Sequence, residues 1–223
     1  MRQHGRLETV IFDMDGVVID SEPLWSKAER ELLACRNLSY APQLKSLLMG
    51  RNSREAVTLL IEHYNLNERL DRVIHEREEL VAGLYQRYLQ PIPSVLELIR
   101  SIRKEGIKTA LTSSSSQYLV RLALDKLGIA HQFDHVVSDD QVARGKPAPD
   151  GYLSAAKQLE AAPENCLVIE DAPNGVAAAK AAGMRCLAVS TSVNAAELGT
   201  ADLVVRGFEE VDVSMLRELV RKA

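Results

Sequence analysis

The second half of the chain alternates between short apolar segments and segments of helical periodicity, and this alternation restricts the fold more than any other feature. From residue 95 onward, each apolar segment of strand length is followed by a segment whose apolar residues have helical spacing. Repeated strand–helix units build a parallel sheet with helices on both faces. The predicted strands cover residues 8–12, 107–112, 133–137, 166–170, 185–189 and 203–205. We therefore expect an α/β protein with a doubly wound, Rossmann-like parallel sheet.

A long helical segment interrupts this alternation after the first strand. Helical periodicity covers 53–64 and 66–89, and no strand pattern lies between the first strand and residue 91. About seventy residues of helix greatly exceed the usual βα connection of roughly two to six residues. We expect 18–90 to be an inserted α-helical cap domain, and 1–17 together with 91–223 to form an α/β catalytic core.

The composition argues against several classes of function. The chain has 223 residues, a net charge of −4 at pH 7 and no long block of lysine or arginine, which argues against nucleic-acid binding. No apolar run approaches the roughly 18 residues of a membrane span, and no signal peptide precedes the first strand. Cys35, Cys166 and Cys186 are odd in number and lie in apolar surroundings, which favours reduced core thiols in a cytoplasmic protein.

Two acidic pairs stand directly after predicted strands. Asp13 and Asp15 follow the first strand, and Gly16 permits the chain to curl so that both carboxylates serve one site. Glu170 and Asp171 follow another apolar strand, where unpaired carboxylates are costly. Each pair has a simpler explanation, a solvated turn for the first and a helix cap for Asp171. Oxygen ligands without a histidine cluster favour Mg²⁺.

A hydroxyl-rich loop and a lysine also follow predicted strands. The serines at 113–116 lie between a strand and a helix, where hydroxyls and backbone N–H groups can bind an anion. Lys146, between Gly145 and Pro147, is held in an extended turn. The alternatives are a serine N-cap and an ordinary surface turn. Because the carboxyl ends of parallel strands meet at one edge of a sheet, we expect both acidic pairs, the loop and the lysine to lie together.

These four sets of residues resemble the four motifs of the haloacid dehalogenase-like superfamily. The resemblance extends in order from residue 10 to residue 205 and is strongest to its sugar-phosphate phosphatases and β-phosphoglucomutases, whose helical cap is inserted after the first motif. The motif residues are Asp13-Met14-Asp15-Gly16, Thr112-Ser113-Ser114, Gly145-Lys146-Pro147 and Glu170-Asp171. Segments 20–25 and 170–175 also match.

The resemblance implies a role for each acidic residue. Asp13 would be the nucleophile that forms an aspartyl-phosphate, and Asp15 the general acid and base. Mg²⁺ would be held by the Asp13 carboxylate, the backbone carbonyl of Asp15 and Asp171, with Glu170 close by. The dehalogenase chemistry that names the superfamily is not expected, because those enzymes lack the second aspartate that Asp15 supplies here.

The resemblance also implies residues that bind the substrate. Ser113, the backbone N–H of Ser114 and Lys146 would hold the oxygens of the transferring phosphoryl group. Arg51 and Arg54 are the best cap candidates to contact the rest of the substrate, and the alternative for either one is a solvated helix start. The implied enzyme is a Mg²⁺-dependent phosphoric monoester hydrolase that acts on a small phosphorylated metabolite, a sugar phosphate or sugar-alcohol phosphate. We expect it to be a monomer or a weak dimer.

Two other functions remain open. The first is a sugar-phosphate mutase, although β-phosphoglucomutases similar to this chain carry a histidine where Trp25 stands, and Pro-Leu-Trp resembles the broad-range phosphatases. The second is a binding module that retains the fold without catalysis, against which the presence of both Asp13 and Asp15 argues. Trp25 either lines the substrate pocket or anchors the cap. Ser94 replaces a glycine that is common in the family, beside the predicted linker.

Overall fold

Six strands form one parallel sheet in a computed structural model that describes residues 5–221, apart from the side chain of Ser46. They are β1 (Thr9–Asp13), β2 (Lys108–Thr112), β3 (His135–Val137), β4 (Cys166–Glu170), β5 (Arg185–Val189) and β6 (Leu203–Val205). Their order in the sheet is β3-β2-β1-β4-β5-β6, so β1 is central. The predicted doubly wound α/β fold is confirmed. The two ends of the predicted core domain, residues 1–4 and 222–223, lie outside the described residues.

Four helices follow β1 before the strand–helix alternation begins. They are α1 (Glu22–Ala34), α2 (Leu44–Leu48), α3 (Ser53–Tyr64) and α4 (Leu70–Tyr88), and we call 22–88 the helical insertion. The later helices are α5 (Val95–Lys104), α6 (Gln117–Leu127), α7 (Asp150–Gln158), α8 (Pro173–Ala181) and α9 (Val213–Arg221). The predicted helix at 66–89 begins later, at Leu70, because Asn65 adopts the left-handed conformation that ends α3. The five residues of α2 are too few for helical periodicity to reveal it.

The central strand is buried on both of its faces. Val10 and Phe12 belong to one apolar cluster and Ile11 to another, because successive side chains of a strand point to opposite sides of the sheet. All three side chains are fully buried, and each contributes about 1.5–3 kcal/mol to stability. This burial fixes the position of the two aspartates that follow the strand.

The helical insertion contacts the sheet domain and also has an apolar cluster of its own. That cluster contains Leu32, Leu44, Leu48, Ala56, Val57, Leu60 and Val73. The two chain segments that lead into and out of the insertion lie side by side. The N–H of Asp20 donates to the carbonyl of Gln90 at 2.9 Å, and that of Ile92 donates to Val18 at 3.0 Å. The insertion is thus joined to the sheet through two adjacent segments.

The cysteine prediction is wrong at one position. Cys166 and Cys186 are buried in the strands, but Cys35 is exposed. It is the C-cap residue of α1, one position beyond the helix whose side chains Leu32 and Leu33 are buried. None of the helices within residues 5–221 is long and apolar enough to cross a membrane.

Candidate active site

Three buried carboxylates meet at the carboxyl ends of β1 and β4. Asp13 is the last residue of β1, Glu170 is the last of β4, and Asp171 follows it. One oxygen from each lies within 4.8 Å of the other two, and none of the three residues is more than 5% exposed. The two strands are neighbours in register, with Phe12 paired to Ile169. The sheet itself therefore assembles this acidic cluster.

The ammonium group of Lys146 lies among these carboxylates. Its Nζ contacts Oδ1 of Asp13 and Oε1 of Glu170, and its side chain is buried. The lysine lies in the loop before α7, and its peptide bond to Pro147 is cis. Burial alone would lower the pKa of Lys146, but the charges of Asp13 and Glu170 outweigh burial and raise that pKa above its ordinary value. Lys146 is therefore a fixed cation at the strand ends.

One lysine does not compensate three buried carboxylates. Burial raises the pKa of Asp13 to about 8, and the charges of Glu170 and Asp15 add to the increase while Lys146 opposes it. Burial also raises the pKa of Asp171 well above its ordinary value, and the charge of Glu170 contributes. A divalent cation would offset this repulsion, and carboxylate oxygens are the ligands that Mg²⁺ prefers. The residues present therefore fit a hard divalent metal ion.

Glu170 accepts four hydrogen bonds and fixes the position of the lysine. Its Oε1 accepts from the hydroxyl of Tyr152 at 2.6 Å as well as from Lys146. Its Oε2 accepts from the backbone N–H groups of Asp171 at 2.8 Å and Ala172 at 3.0 Å. These four donors satisfy the hydrogen-bonding capacity of the buried carboxylate oxygens. Glu170 thus contributes negative charge to the cluster and anchors Lys146.

The chain turns sharply after β1, as the sequence predicts. Gly16 has a φ of +76°, and its N–H donates to the carbonyl of Ile19 at 2.8 Å. A Cβ on this residue would lie 1.9 Å from Oδ2 of Asp171. Only glycine permits the turn to approach that carboxylate so closely. The turn directs Asp15 toward the helical insertion.

Three donors from the helical insertion and its approach segment hold one oxygen of Asp15. Oδ1 accepts from Ser21 Oγ at 2.7 Å, from Trp25 Nε1 at 3.1 Å and from the hydroxyl of Tyr85 at 3.0 Å. The rings of Trp25 and Tyr85 pack edge to face, with centroids 6.4 Å apart. Both α1 and α4 therefore position this carboxylate.

The predicted hydroxyl loop holds the other oxygen of Asp15. Oδ2 accepts from Ser113 Oγ at 3.2 Å and from Ser115 Oγ at 3.1 Å. The backbone N–H of Ser115 donates to Ser113 Oγ at 3.0 Å, which fixes the shape of the loop. Ser114 Oγ lies 3.4 Å from the carbonyl oxygen of Gly50 in the insertion. The loop therefore lies beside the acidic cluster and contacts both parts of the fold.

Charged side chains of the helical insertion form part of the pocket wall around these groups. The wall residues are Glu22, Glu29, Lys45, Arg51 and Arg77. Each of the three cations lies near an acid: Lys45 is 3.7 Å from Glu22, Arg77 is 2.5 Å from Glu29, and Arg51 is 3.6 Å from Glu55. Lys45 and Arg77 are thus paired within the wall, whereas the partner of Arg51 lies outside the pocket lining.

Comparison with known proteins identifies the family in which this arrangement occurs. The family profile described as haloacid dehalogenase-like hydrolase matches residues 7–183, which include the acidic cluster, the serine loop and Lys146. The chain belongs to the haloacid dehalogenase-like hydrolases. The family predicted from the four sequence motifs is thus confirmed.

Named relatives of this hydrolase act on phosphate esters. It is 35% identical over 192 residues to phosphorylated carbohydrates phosphatase of Thermotoga maritima, covering 84% of this chain and 88% of the relative. It is 34% identical over 181 residues to fructose-1-phosphate phosphatase YqaB of Escherichia coli, covering 81% and 95%. These names confirm the expected enzyme class, a phosphoric monoester hydrolase.

A solved structure with the same fold carries a different activity in its name. β-Phosphoglucomutase from Clostridium difficile superposes with a TM-score of 0.87 at 26% identity, covering 97% of this chain and 98% of that one. The fold is therefore shared by hydrolases and by a mutase, and the fold alone does not distinguish the two reactions.

The structure separates the two cap arginines that the sequence singles out. Arg51 lines the pocket. Arg54 is not among the lining residues, and its guanidinium contacts Asp71 at 3.2 Å on the surface, with 67% of its side chain exposed. Trp25 lines this pocket and also packs against the main apolar cluster, so its position fits both of the roles predicted for it.

Three further residues of the site were not predicted individually from the sequence. Ser115 belongs to the serine run, so its proximity to the site could be inferred from the predicted loop. Tyr85 and Tyr152 lie within helices and carry no local signal of their contacts with Asp15 and Glu170.

Proposed function

We propose that this hydrolase is a Mg²⁺-dependent phosphatase that cleaves a small sugar phosphate or sugar-alcohol phosphate through an aspartyl-phosphate. The observation that carries the proposal is the position of the Asp13 carboxylate, which lies against Lys146 and within the cluster formed with Glu170 and Asp171. A phosphoryl group bound beside the lysine would lie next to a carboxylate nucleophile in a buried, charged site.

Asp13 and Asp15 would divide the chemistry between them. An oxygen of Asp13 attacks phosphorus, the bond from phosphorus to the ester oxygen breaks, and Asp15 gives a proton to the leaving alkoxide. In the second half, Asp15 takes a proton from water as the water attacks the aspartyl-phosphate and restores Asp13. The hydrogen bonds on both oxygens of Asp15 support this role, because they hold its side chain in a defined orientation.

The acidic cluster supplies the ligands for the metal ion. We propose that the Asp13 carboxylate, the backbone carbonyl of Asp15 and Asp171 would hold Mg²⁺, with Glu170 contributing charge from beside it. The ion would supply positive charge to the phosphoryl oxygens and to the crowded carboxylates. The raised pKa values of Asp13 and Asp171 support this assignment.

The phosphoryl oxygens would be bound by groups at two neighbouring strand ends. Lys146 would contribute a fixed positive charge, and Ser113 together with the N–H of Ser114 would contribute hydrogen-bond donors after β2, the Ser113 hydroxyl turning from Asp15 to the phosphoryl group. These groups lie at the same edge of the sheet as Asp13, because β1, β2 and β3 are parallel neighbours. Their charge and polarity match the charge that develops on phosphorus oxygens during transfer.

We further propose that residues 18–90 act as a cap domain that opens and closes over the core, 1–17 with 91–223. The two adjacent connecting segments support this division, since a pair of neighbouring linkers permits hinge motion. Closure would exclude water while the ester is cleaved, and opening would release the products. Contacts from Trp25 and Tyr85 to Asp15 would couple the cap position to the catalytic acid.

A mutase is the second candidate, and the structural similarity to β-phosphoglucomutase favours it. Trp25 favours hydrolysis, because the indole ring carries one N–H donor and no acceptor, and it does not exchange protons as an imidazole does. The phosphatase names of the relatives agree with this choice.

The test is phosphate release from a panel of sugar and sugar-alcohol phosphates, with Mg²⁺ and with a chelator. We expect chelator-sensitive release that falls at least ~1,000-fold in Asp13→Asn, a loss of about 4 kcal/mol of transition-state stabilisation. Asp125→Asn, on the exposed side of α6, is the matched control and should retain activity. Interconversion of hexose phosphates with little free phosphate would show a mutase instead. Binding of these esters without turnover would support the binding module.

A further inference from the structure

A buried ion pair between two helices of the insertion lies within the pocket wall. Arg77 of α4 donates from Nη2 and Nε to the same oxygen of Glu29 on α1, at 2.5 and 3.2 Å. The two side chains are 6% and 4% exposed. The guanidinium carbon of Arg77 lies 4.2 Å from the ring centroid of Trp25, which donates to Asp15. The pair is thus adjacent to the catalytic machinery without touching it.

Stability alone does not explain this pair. Removing two charges from water carries a large free-energy cost, and an apolar pair of similar volume is often equally stable or more stable. The chain end of α1 is already tied to α4 through Arg36, which contacts Glu76 at 2.7 Å and Glu68 at 2.6 Å nearer the surface. A buried pair in the pocket wall therefore points to a ligand-binding role.

The unused hydrogen-bonding capacity of the pair indicates which ligand groups it would bind. A guanidinium has five N–H donors, and two of those of Arg77 bond to Glu29. Both of these bonds end on Oε1, so Arg77 does not occupy the second carboxylate oxygen; the Tyr40 hydroxyl also interacts with this carboxylate, whose two oxygens together have further acceptor lone pairs. The pair can therefore offer a donor and an acceptor side by side, which is the pattern that neighbouring hydroxyl groups match.

The charges of the pocket wall disfavour a second anionic group on the substrate. The other two wall cations, Lys45 and Arg51, lie near Glu22 and Glu55 at 3.7 and 3.6 Å. Among the described residues that line the whole pocket, six carboxylates outnumber four lysine and arginine side chains. A leaving group with its own carboxylate or phosphate would therefore enter a pocket in which carboxylates are in excess.

We propose that Glu29 and Arg77 are specificity-determining residues that bind hydroxyl groups of the leaving alcohol, and that they select esters whose leaving group is an uncharged polyol. This inference rests on the proposed phosphatase function. Arg77 donates to a hydroxyl oxygen, and the carboxylate of Glu29 accepts from a neighbouring hydroxyl. The pair acts on substrate binding and leaves the phosphoryl chemistry to the residues at the strand ends.

The first experiment compares two esters in the double variant Glu29→Met/Arg77→Met. One ester is glucitol 6-phosphate, whose leaving group is rich in hydroxyls, and the other is p-nitrophenyl phosphate, which has none. We expect the ratio of kcat/KM for the first ester to that for the second to fall at least tenfold, mainly through KM for glucitol 6-phosphate. The ratio separates recognition of hydroxyls from any disturbance of Trp25, which would lower both values together.

The surface ion pair provides the matched control. Arg36→Met removes a cation that joins the segment after α1 to Glu76 of α4, away from the pocket, and should leave the ratio unchanged. An unchanged ratio in the double variant would overturn the inference, whether neither kcat/KM value changes or both fall by the same factor. If the double variant does not fold, Glu29→Gln keeps the shape of the side chain and should still lower the ratio.

A second measurement uses the wild-type protein alone. We expect kcat/KM for glucitol 6-phosphate to exceed that for 2-phosphoglycolate, whose leaving group carries a carboxylate, at least tenfold. Equal or reversed values would overturn the proposed selection for uncharged leaving groups while leaving the phosphatase function intact. Absence of release from all three esters would overturn the phosphatase function and this inference with it.

Discussion

Replacement of Gly16 by alanine would test how closely the turn after β1 and the acidic cluster depend on each other. Gly16 has a φ of +76°, where an L-residue costs about 1–2 kcal/mol relative to glycine. Its new Cβ would lie 1.9 Å from Oδ2 of Asp171, so that carboxylate would have to move about 1.5 Å to reach an ordinary contact of 3.4 Å. Asp171 is buried, and the movement must disturb its surroundings.

The displacement should affect stability and catalysis together. We expect Gly16→Ala to lower the free energy of unfolding by about 2–4 kcal/mol, the sum of backbone strain and a clash in a buried site. A shift of about 1 Å in a catalytic site lowers rates roughly 100-fold. We therefore expect kcat/KM for phosphate release to fall at least ~100-fold, about 2.7 kcal/mol, with weaker activation by Mg²⁺.

Gly183→Ala is the matched control, because Gly183 has a φ of +74° and an added Cβ would meet nothing within 4 Å. It should lose only the backbone contribution of about 1–2 kcal/mol and keep its activity. Urea unfolding and Mg²⁺-titrated phosphate release measure both quantities. If Gly16→Ala matched Gly183→Ala in stability and in kcat/KM, the close approach to Asp171 would not matter and the reasoning would be refuted.

Three further changes have defined outcomes. Ser94 has a φ of +61°, so Ser94→Gly should raise the free energy of unfolding by about 0.5–1 kcal/mol, measured in urea, because relief of strain exceeds the added entropy of the unfolded chain. Tyr85→Phe removes one donor to Asp15 and should lower kcat about tenfold with little change in KM, measured by phosphate release. Burial raises the pKa of Glu22 from 4.5 to about 7, against the opposing charge of Lys45. Between pH 4.5 and 7, the folded state keeps the proton of Glu22 while the unfolded state releases it. The stability that protonated Glu22 contributes is therefore fully present below pH 4.5 and is lost as the pH rises through 7. The free energy of unfolding of wild type relative to Glu22→Gln should fall by up to about 3 kcal/mol over this range.

Each of these has its own control. Ser101→Gly, within α5 at ordinary helical φ, should be destabilising by up to about 1 kcal/mol, and a similar effect of Ser94→Gly would contradict the strain argument. Tyr88→Phe alters an exposed tyrosine on the same helix as Tyr85 and should leave kcat unchanged. A flat difference in unfolding free energy between pH 4.5 and 8 would show that Glu22 titrates as it does in water.

Much of the candidate site could be predicted from the sequence because its carboxylates and its serine loop stand where strands end. Asp13, Lys146 and Asp171 come from three distant segments, yet the structure brings them together as expected. The reason is physical: parallel strands have their carboxyl ends at one edge of the sheet, so a residue's place along its strand fixes the edge at which it lies. The roles assigned to these residues remain proposals for the experiments above.

The sequence by itself determined the fold class, the position of the helical insertion and the acidic edge of the sheet, because each follows from local periodicity and burial. Only the tertiary structure decided which insertion residues reach the pocket. Arg51 lines it while Arg54 does not, and Glu29 pairs with Arg77, 48 residues away. Such contacts depend on how the helices lie against one another and against the sheet, and that orientation results from packing of the whole chain rather than from any one segment.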